Sequence, residues 1–414
     1  MTQKHRILGV DYADDVEHAT GQGDPPDIPL IEAIADHAAQ AVMTHLAWRV
    51  SCVGRLTYPT KVGSVLDGHN VMRPTHKPFA QVMQRCDPVV EAVRAAHERG
   101  MKLWFYMTLF DECYQSPTEH ISESWLGQEH PEYYLKHARQ DGLYIRGVFS
   151  LAYQEVREYF LGIVKEGLDR GCDAIYLDCG RTHAGANPIP VHGWWPQWTN
   201  PFLAYGYNEP DVQRYRSRYG KEPPYRHWTT LESMEPTEEE LNWNRVRGEA
   251  LTDFIREVRP LAQRYKTPIV VSFYPPTYNG FNPGYHCREM LGRYYIDWQT
   301  WVKEGLIDAV RLIVDHRKFG YDDWVANSAH TYAEAQKAGV KVYIDCCLGG
   351  SYDKMENPPA PLPIRRSDNP QLFDELRRNM IRNMLKTSAD GIFYYEHAGG
   401  DDTTWPLLRA VHEE

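Results

Sequence analysis

The sequence predicts an α/β protein folded as a single (β/α)8 barrel over residues 1–414. Three observations predict it. Eight short apolar runs recur along the chain, separated by stretches of helical periodicity. Six of the eight runs end on or beside an acidic residue. The longest connections follow the C-terminal ends of the runs, the face on which such barrels carry their long βα loops. Strand–helix alternation repeated this often implies parallel strands and a closed sheet. An open, doubly wound sheet is the rival, but no GxGxxG or phosphate-binding loop follows the first run. Barrels with insertions reach ~400 residues as one domain, so the length calls for no second one.

In chain order, the first run is 7–10 and ends in Asp11-Tyr12. The second, 41–46, ends near Trp48-Arg49, and the third, 103–107, near Phe110-Asp111-Glu112. The fourth, 174–177, delivers Asp178 and then Arg181. The fifth, 269–273, ends in Tyr274-Pro275, and the sixth, 309–314, in Asp315-His316. The seventh, 340–344, ends in Asp345-Cys346, and the eighth, 391–395, in Glu396-His397. Apolar stripes at helical spacing predict helices over 30–38, 88–99, 155–169, 239–265, 297–304, 323–338 and 372–386. Gly100, Gly171, Gly305 and Gly339 follow four of these, where a helix ends on a left-handed residue. Long connections follow strands two, three, four and seven, at about 54–86, 113–150, 182–235 and 348–369. Connections of this length in a compact fold are usually functional, so they read as walls of a cleft. The one over 182–235 holds Trp194-Trp195 and should cover the cavity.

The bulk composition excludes several classes. A content of 42% hydrophobic and 24% charged residues is that of a globular protein. The net charge of −11 argues against a phosphate-binding surface and hence against nucleic acid. No run is long enough to span a membrane, and the polar start of the chain leads straight into the first strand, so no secretory signal is read there. The eight cysteines are scattered, with no CxxC pair, and read as reduced, mostly buried thiols of a cytoplasmic protein. Nothing calls for a cofactor, and the sequence is compatible with a homo-oligomer.

The strand ends carry the chemistry. Asp11, Asp111 or Glu112, Asp178, Asp315, Asp345 and Glu396 supply carboxylates, with Arg49, Arg181, His183, His316 and His397 beside them. Like charges held together raise one another's pKa, while Arg and His keep others ionised. One protonated acid beside one carboxylate is what glycosidic cleavage requires. Divalent metal binding competes, since the same residue types build such sites. No HExxH occurs, and no GxSxG elbow supports a serine hydrolase. The 12 Trp and 27 Tyr include many in polar, Pro-rich loops, where they suit the apolar face of a sugar.

The stretch HPEYY from His130, followed by SLAYQEVREYFLGIVKEGLDRGCDAIYLDCGR up to Arg181, resembles the glycosyl-hydrolase-like family 10 proteins. Further pieces fit: DVQRYRSRYGKEP, LNWNRVRGEALTDFIREV and WVKEGLIDAVRL. The resemblance covers most of the chain from about Gly100 onward and implies a (β/α)8 glycosidase processing carbohydrate. It matches Asp178 to the acid of the family's DGIHLDD-type strand. Cys179 stands here in place of the second acid and Ala174 in place of the glycine. The chain is also loosely similar to α-galactosidase and α-glucosidase clan barrels, which place a nucleophilic Asp after strand four and an acid after strand six. Asp178 and Asp315 occupy those places, and Glu396 is the alternative acid.

The expectation is therefore a glycoside hydrolase with Asp178 as nucleophile and Asp315 or Glu396 as acid/base. Asp11, Arg49, Tyr106, Glu112, Arg181, His183, Trp194, Tyr274, Arg311, His316, Asp345 and His397 would position a carbohydrate substrate. A carboxyl separation of about 5–5.5 Å would imply retention of configuration, and about 6.5–9.5 Å inversion. The looser resemblance implies retention. A metal-dependent sugar isomerase, epimerase or lyase, and a non-catalytic carbohydrate-binding barrel, are the alternatives.

Overall fold

The computed structural model describes residues 4–68, 77–115, 120–139, 141–180, 185–186, 205–225, 237–273, 296–313, 333–348 and 368–414. Eight strands form the barrel: β1 (His5–Asp11), β2 (His45–Arg49), β3 (Lys102–Thr108), β4 (Ala174–Asp178), β5 (Ile269–Phe273), β6 (Ala309–Leu312), β7 (Lys341–Cys347) and β8 (Gly391–Tyr395). They close in the order β1-β8-β7-β6-β5-β4-β3-β2, and every neighbouring pair is parallel. This is a (β/α)8 barrel, as the sequence predicts.

Around it, in chain order, stand α1 (Tyr12–Gln22), α2 (Ile28–Gln40), α3 (Pro88–Glu98), α4 (Gln154–Asp169), α5 (Glu209–Tyr219), α6 (Glu238–Arg264), α7 (Trp298–Lys303), α8 (Pro370–Lys386) and α9 (Thr404–Glu413). The helix expected over 323–338 falls largely outside the described residues. Among the described residues no helix is long and apolar enough to cross a membrane. Cys52, Cys86, Cys113, Cys172, Cys179 and Cys346 are free thiols.

Period two along each strand sorts side chains between two cores. Ile7, Ala47, Trp104, Tyr106, Ala174, Tyr176, Val270, Ala309, Tyr343 and Phe393 fill the barrel interior. Their sequence neighbours Leu8, Leu46, Phe105, Ile175, Val271, Val310, Ile344 and Ile392 join the larger core packed against the helices. Gly9 occupies an interior position of β1, where a Cβ would lie 2.7 Å from the Phe393 ring. Two residues on from these interior positions, at the C-terminal end, come Asp11, Arg49, Thr108, Asp178, Ser272, Arg311 and Asp345. The register sets Asp11 opposite Arg49, Thr108 opposite Asp178, Asp178 opposite Ser272, and Ser272 opposite Arg311. The same alternation that builds an apolar plug thus ends in a polar ring.

Several boundaries depart from the expectation. The second strand begins at His45, because α2 ends in a turn in which Val42 takes φ 52° and its carbonyl accepts from the Arg6 side chain at 2.5 Å. The seventh extends to Cys347, so Asp345 lies within the sheet, paired with Phe393. Helix α1 carries too many polar residues to show an apolar stripe, yet Val16 and Tyr12 bury in the core. The long connections hold local structure. Cys113–Gln115 pairs with His120–Glu123, and Tyr144–Phe149 pairs with Tyr134–Lys136 and Gly185–Ala186.

Candidate active site

Asp178 ends β4, and the turn before that strand explains its placement. Helix α4 stops at Gly171, which takes φ 82° and donates its N–H to the Leu168 carbonyl. Asp173 then accepts from the Leu103 N–H at 2.8 Å and fixes β4 against β3. With Ala174 and Tyr176 facing inward, Asp178 must face inward too. Its Oδ1 accepts from Ser272 Oγ at 2.7 Å and from the Gly180 N–H at 2.8 Å; its Oδ2 accepts from the Tyr106 hydroxyl at 2.6 Å. A carboxylate offers about four acceptor positions, so among the described residues one remains for a substrate. Burial, and then the charge of Asp178, hold the Tyr106 hydroxyl well above its ordinary pKa, so it stays a donor.

Two buried arginines flank this group. Arg49 on β2 donates to Asp11 on β1 and, at 2.7 Å, to Asp111 beyond β3. Arg311 on β6 donates through Nε and Nη2 to Asp345 at 3.2 and 2.7 Å, and through Nη1 to the Tyr176 hydroxyl at 2.6 Å. Its guanidinium lies 3.8 Å from the centroid of the Phe393 ring. Burial works against its charge, but Asp345, Tyr176, Tyr106 and Asp178 together outweigh burial and raise its pKa. Charges at such depth persist only when paired, and each arginine here is matched to carboxylates.

On the β1–β8 side, carboxylate oxygens of Asp11, Asp14 and Glu396 lie within 4.8 Å of one another. Among the described residues this is the grouping whose spacing would accept a divalent cation, although acids crowd in this way without one. His397 turns away from the group: its Nδ1 lies 2.6 Å from Asp15 and its Nε2 3.0 Å from His37 Nδ1. Glu112 also stands apart. Its carboxyl meets the Tyr159 hydroxyl of α4 at 3.2 Å, in the layer between strands and helices, and burial pushes its pKa up to about 8.

Of the expected residues, then, Asp178 and Tyr106 come together, as do Asp11 and Arg49, and Arg311 and Asp345. Asp11 also meets Glu396. Arg181, His183, Trp194, Tyr274, Asp315 and His316 lie outside the described residues. Asp14, Asp15, His37, Tyr176 and Ser272 were not anticipated. Asp14 and Asp15 could have been found: following Asp11 at i+3 and i+4, they share one face if a helix starts at Tyr12. Ser272 and Tyr176 carry the inward parity of strands that the sequence had already located.

The comparison with known families bears on the middle of the chain. Residues 197–348 match Glycosyl hydrolase-like 10. The match spans β5, β6 and β7, and with them Ser272, Arg311 and Asp345. No curated protein matches the chain. Among solved structures, the chain is similar to a group IV chitinase of Ostrinia furnacalis, at 10% identity and a TM-score of 0.48, covering 100% of both chains. It is also similar to a class V chitinase of Pseudomonas fluorescens Pf-5, at 9% identity and a TM-score of 0.46, over 99% of each chain. A third is the α-galactosidase TtGalA of Thermus thermophilus, at 10% identity and a TM-score of 0.42, covering 100% of this chain and 62% of that one. Likenesses this remote carry no argument about the site.

Proposed function

We propose that the protein is a glycoside hydrolase that cleaves a glycosidic bond of an oligosaccharide or glycoside with two carboxylates. The carrying observation is Asp178: an inward carboxylate at the C-terminal end of β4, held by donors from β3, β5 and its own turn. Three fixed donors set the orientation of a group that must approach an anomeric carbon in line, and such pre-positioning is worth several kcal/mol of barrier. Glu396, beyond β8, is the partner acid/base, with Asp315 the alternative for that role. Asp11 and Arg49 take sugar hydroxyls beside it. The match to Glycosyl hydrolase-like 10 supports the same reaction class.

A panel of aryl glycosides and oligosaccharides tests the reading. Turnover of at least one member, abolished by Asp178→Asn, is the expected result; no turnover with any member would leave a carbohydrate-binding barrel. Product anomers followed by NMR from the first turnovers then assign the stereochemistry. Retention is expected, and an inverted product would remove Asp178 as nucleophile. The spacing of Asp11, Asp14 and Glu396 favours one second reading, a metal-dependent sugar isomerase or lyase. Full turnover after dialysis against chelator would remove it.

A further inference from the structure

Carboxylate oxygens of Asp11, Asp14 and Glu396 lie within 4.8 Å of one another, beside the β1–β8 pairing and the Arg49–Asp11 ion pair, so a contact that ties their segments together helps to hold these like charges close. Asp11 and Asp14 sit on the β1–α1 junction, and Glu396 immediately precedes the turn His397–Gly399. A side-chain bond joins these two segments, from His397 Nδ1 to Asp15 Oδ1, at 2.6 Å. Each of its members is the chain neighbour of one of the crowded acids: Asp15 of Asp14, His397 of Glu396.

The bond is itself backed from outside. Asp15 is 3% exposed, and its Oδ2 takes no hydrogen bond, so its carboxylate depends on His397. A carboxylate only accepts, so His397 carries a proton on Nδ1. Its Nε2 shares a second hydrogen bond with His37 Nδ1, 3.0 Å away on α2. Trp405 of α9 lies nearly parallel to both imidazoles, with centroids 5.1 Å from His37 and 5.0 Å from His397. Burial first, then His397, lower the pKa of His37 against the pull of Asp402, Asp15 and Asp36, which favours a neutral His37 ring. Each ring is thus held by the next group in line.

We infer that His37, His397 and Asp15 form a clamp that positions Glu396 against Asp11 and Asp14, with His37 and Trp405 fixing the imidazole that closes it. The inference rests on the reading of Glu396 as acid/base. The clamp residues are positioning residues: they hold the acid where a leaving-group oxygen would meet it.

Two measurements on the full chain test this. The first is a thermal-melt cycle over wild type, His397→Ala, Glu396→Gln and the double variant. Loss of His397 should lower Tm, and Glu396→Gln should gain more in wild type, where the clamp keeps the charges close, than in the His397→Ala background, where the segments can part and relieve the repulsion. Additive shifts would overturn the clamp. The second compares dinitrophenyl with p-nitrophenyl or methylumbelliferyl glycosides, since only the poorer leaving groups need a proton. His397→Ala should lose about tenfold or more in kcat on the poor leaving groups and little on dinitrophenyl. His397→Asn, whose amide reaches Asp15 as Nδ1 does, should restore much of that loss. A loss uniform across leaving groups, unrelieved by Asn, would also overturn the clamp. Should no glycoside turn over in wild type, the hydrolase reading fails, and the melt cycle alone decides the clamp.

Discussion

Asp178 at the end of β4 and Glu112 just beyond β3 are buried alike, at 2% and 3% exposure, and both follow a strand of the same barrel. Their surroundings differ in kind. Asp178 faces the interior, where two hydroxyls and a backbone N–H point at it and a buried arginine stands behind its neighbours. Glu112 turns to the helix layer, where burial dominates and the hydroxyls of Ser124 and Tyr159 offset only part of it. Burial alone therefore does not mark a chemical group in this fold. The side of the sheet does, because the barrel's inner end is where donors and cations were placed at the cost of apolar packing.

Asp178→Asn breaks the comparison most severely. The amide oxygen can still accept from Ser272 and Gly180, and its N–H can face the Tyr106 oxygen, so the fold should hold. The charge is gone. A nucleophile or an ion facing an oxocarbenium-like transition state cannot be replaced this way, and kcat should fall by about 10³-fold or more. Circular dichroism and a melt within a few degrees of wild type would complete the result. A fully active variant would move the nucleophile to Glu396.

Tyr106→Phe and Ser272→Ala sharpen it by one donor at a time. Each leaves Asp178 charged and still held by the remaining two donors. Losses of about 10- to 100-fold in kcat, with KM little changed, are expected from a carboxylate free to rotate away from its line of attack. Steady-state kinetics on the best aryl glycoside decide this. Losses as large as that of Asp178→Asn would instead make one of these hydroxyls a direct participant.

How much of this was legible follows from the same sidedness. All eight strands show in the apolar runs, because buried parallel strands read as near-continuous hydrophobic stretches. Asp178, Arg49 and Asp11 fall at strand ends, where the apolar runs point, and Asp345 lies just inside the end of β7. Facing was harder: Asp111 and Glu112 are adjacent, and only the path of the chain after β3 sends one to Arg49 and the other to Tyr159. Asp15 and His37 were missed because their partner, His397, is distant in sequence, and helix α1, which carries Asp15, lacks an apolar stripe. Local pattern carries the strands; pairing across the chain carries the clamp.

Glu112→Gln is the smallest of these effects and tests the other half of the comparison. In the fold the Glu112 carboxyl titrates at about 8, against an ordinary value of 4.5, because burial penalises its charge. Below about pH 4.5 both folded and unfolded chains hold the proton, and the group exerts no pH-dependent effect. Between 4.5 and 8 the unfolded chain releases it while the folded one retains it, so stability falls as pH rises through that window. Gln is neutral throughout and similar in shape. Urea unfolding at several values across pH 5–9 should therefore show the variant gaining on wild type as pH rises, by a few kcal/mol at most, with the two converging towards the acid end. Turnover at neutral pH should be unchanged, because the wild-type group is already uncharged there. A gap that does not vary with pH would mean that Glu112 is ionised in the fold, and that the helix-facing side of this barrel can hold a charge after all.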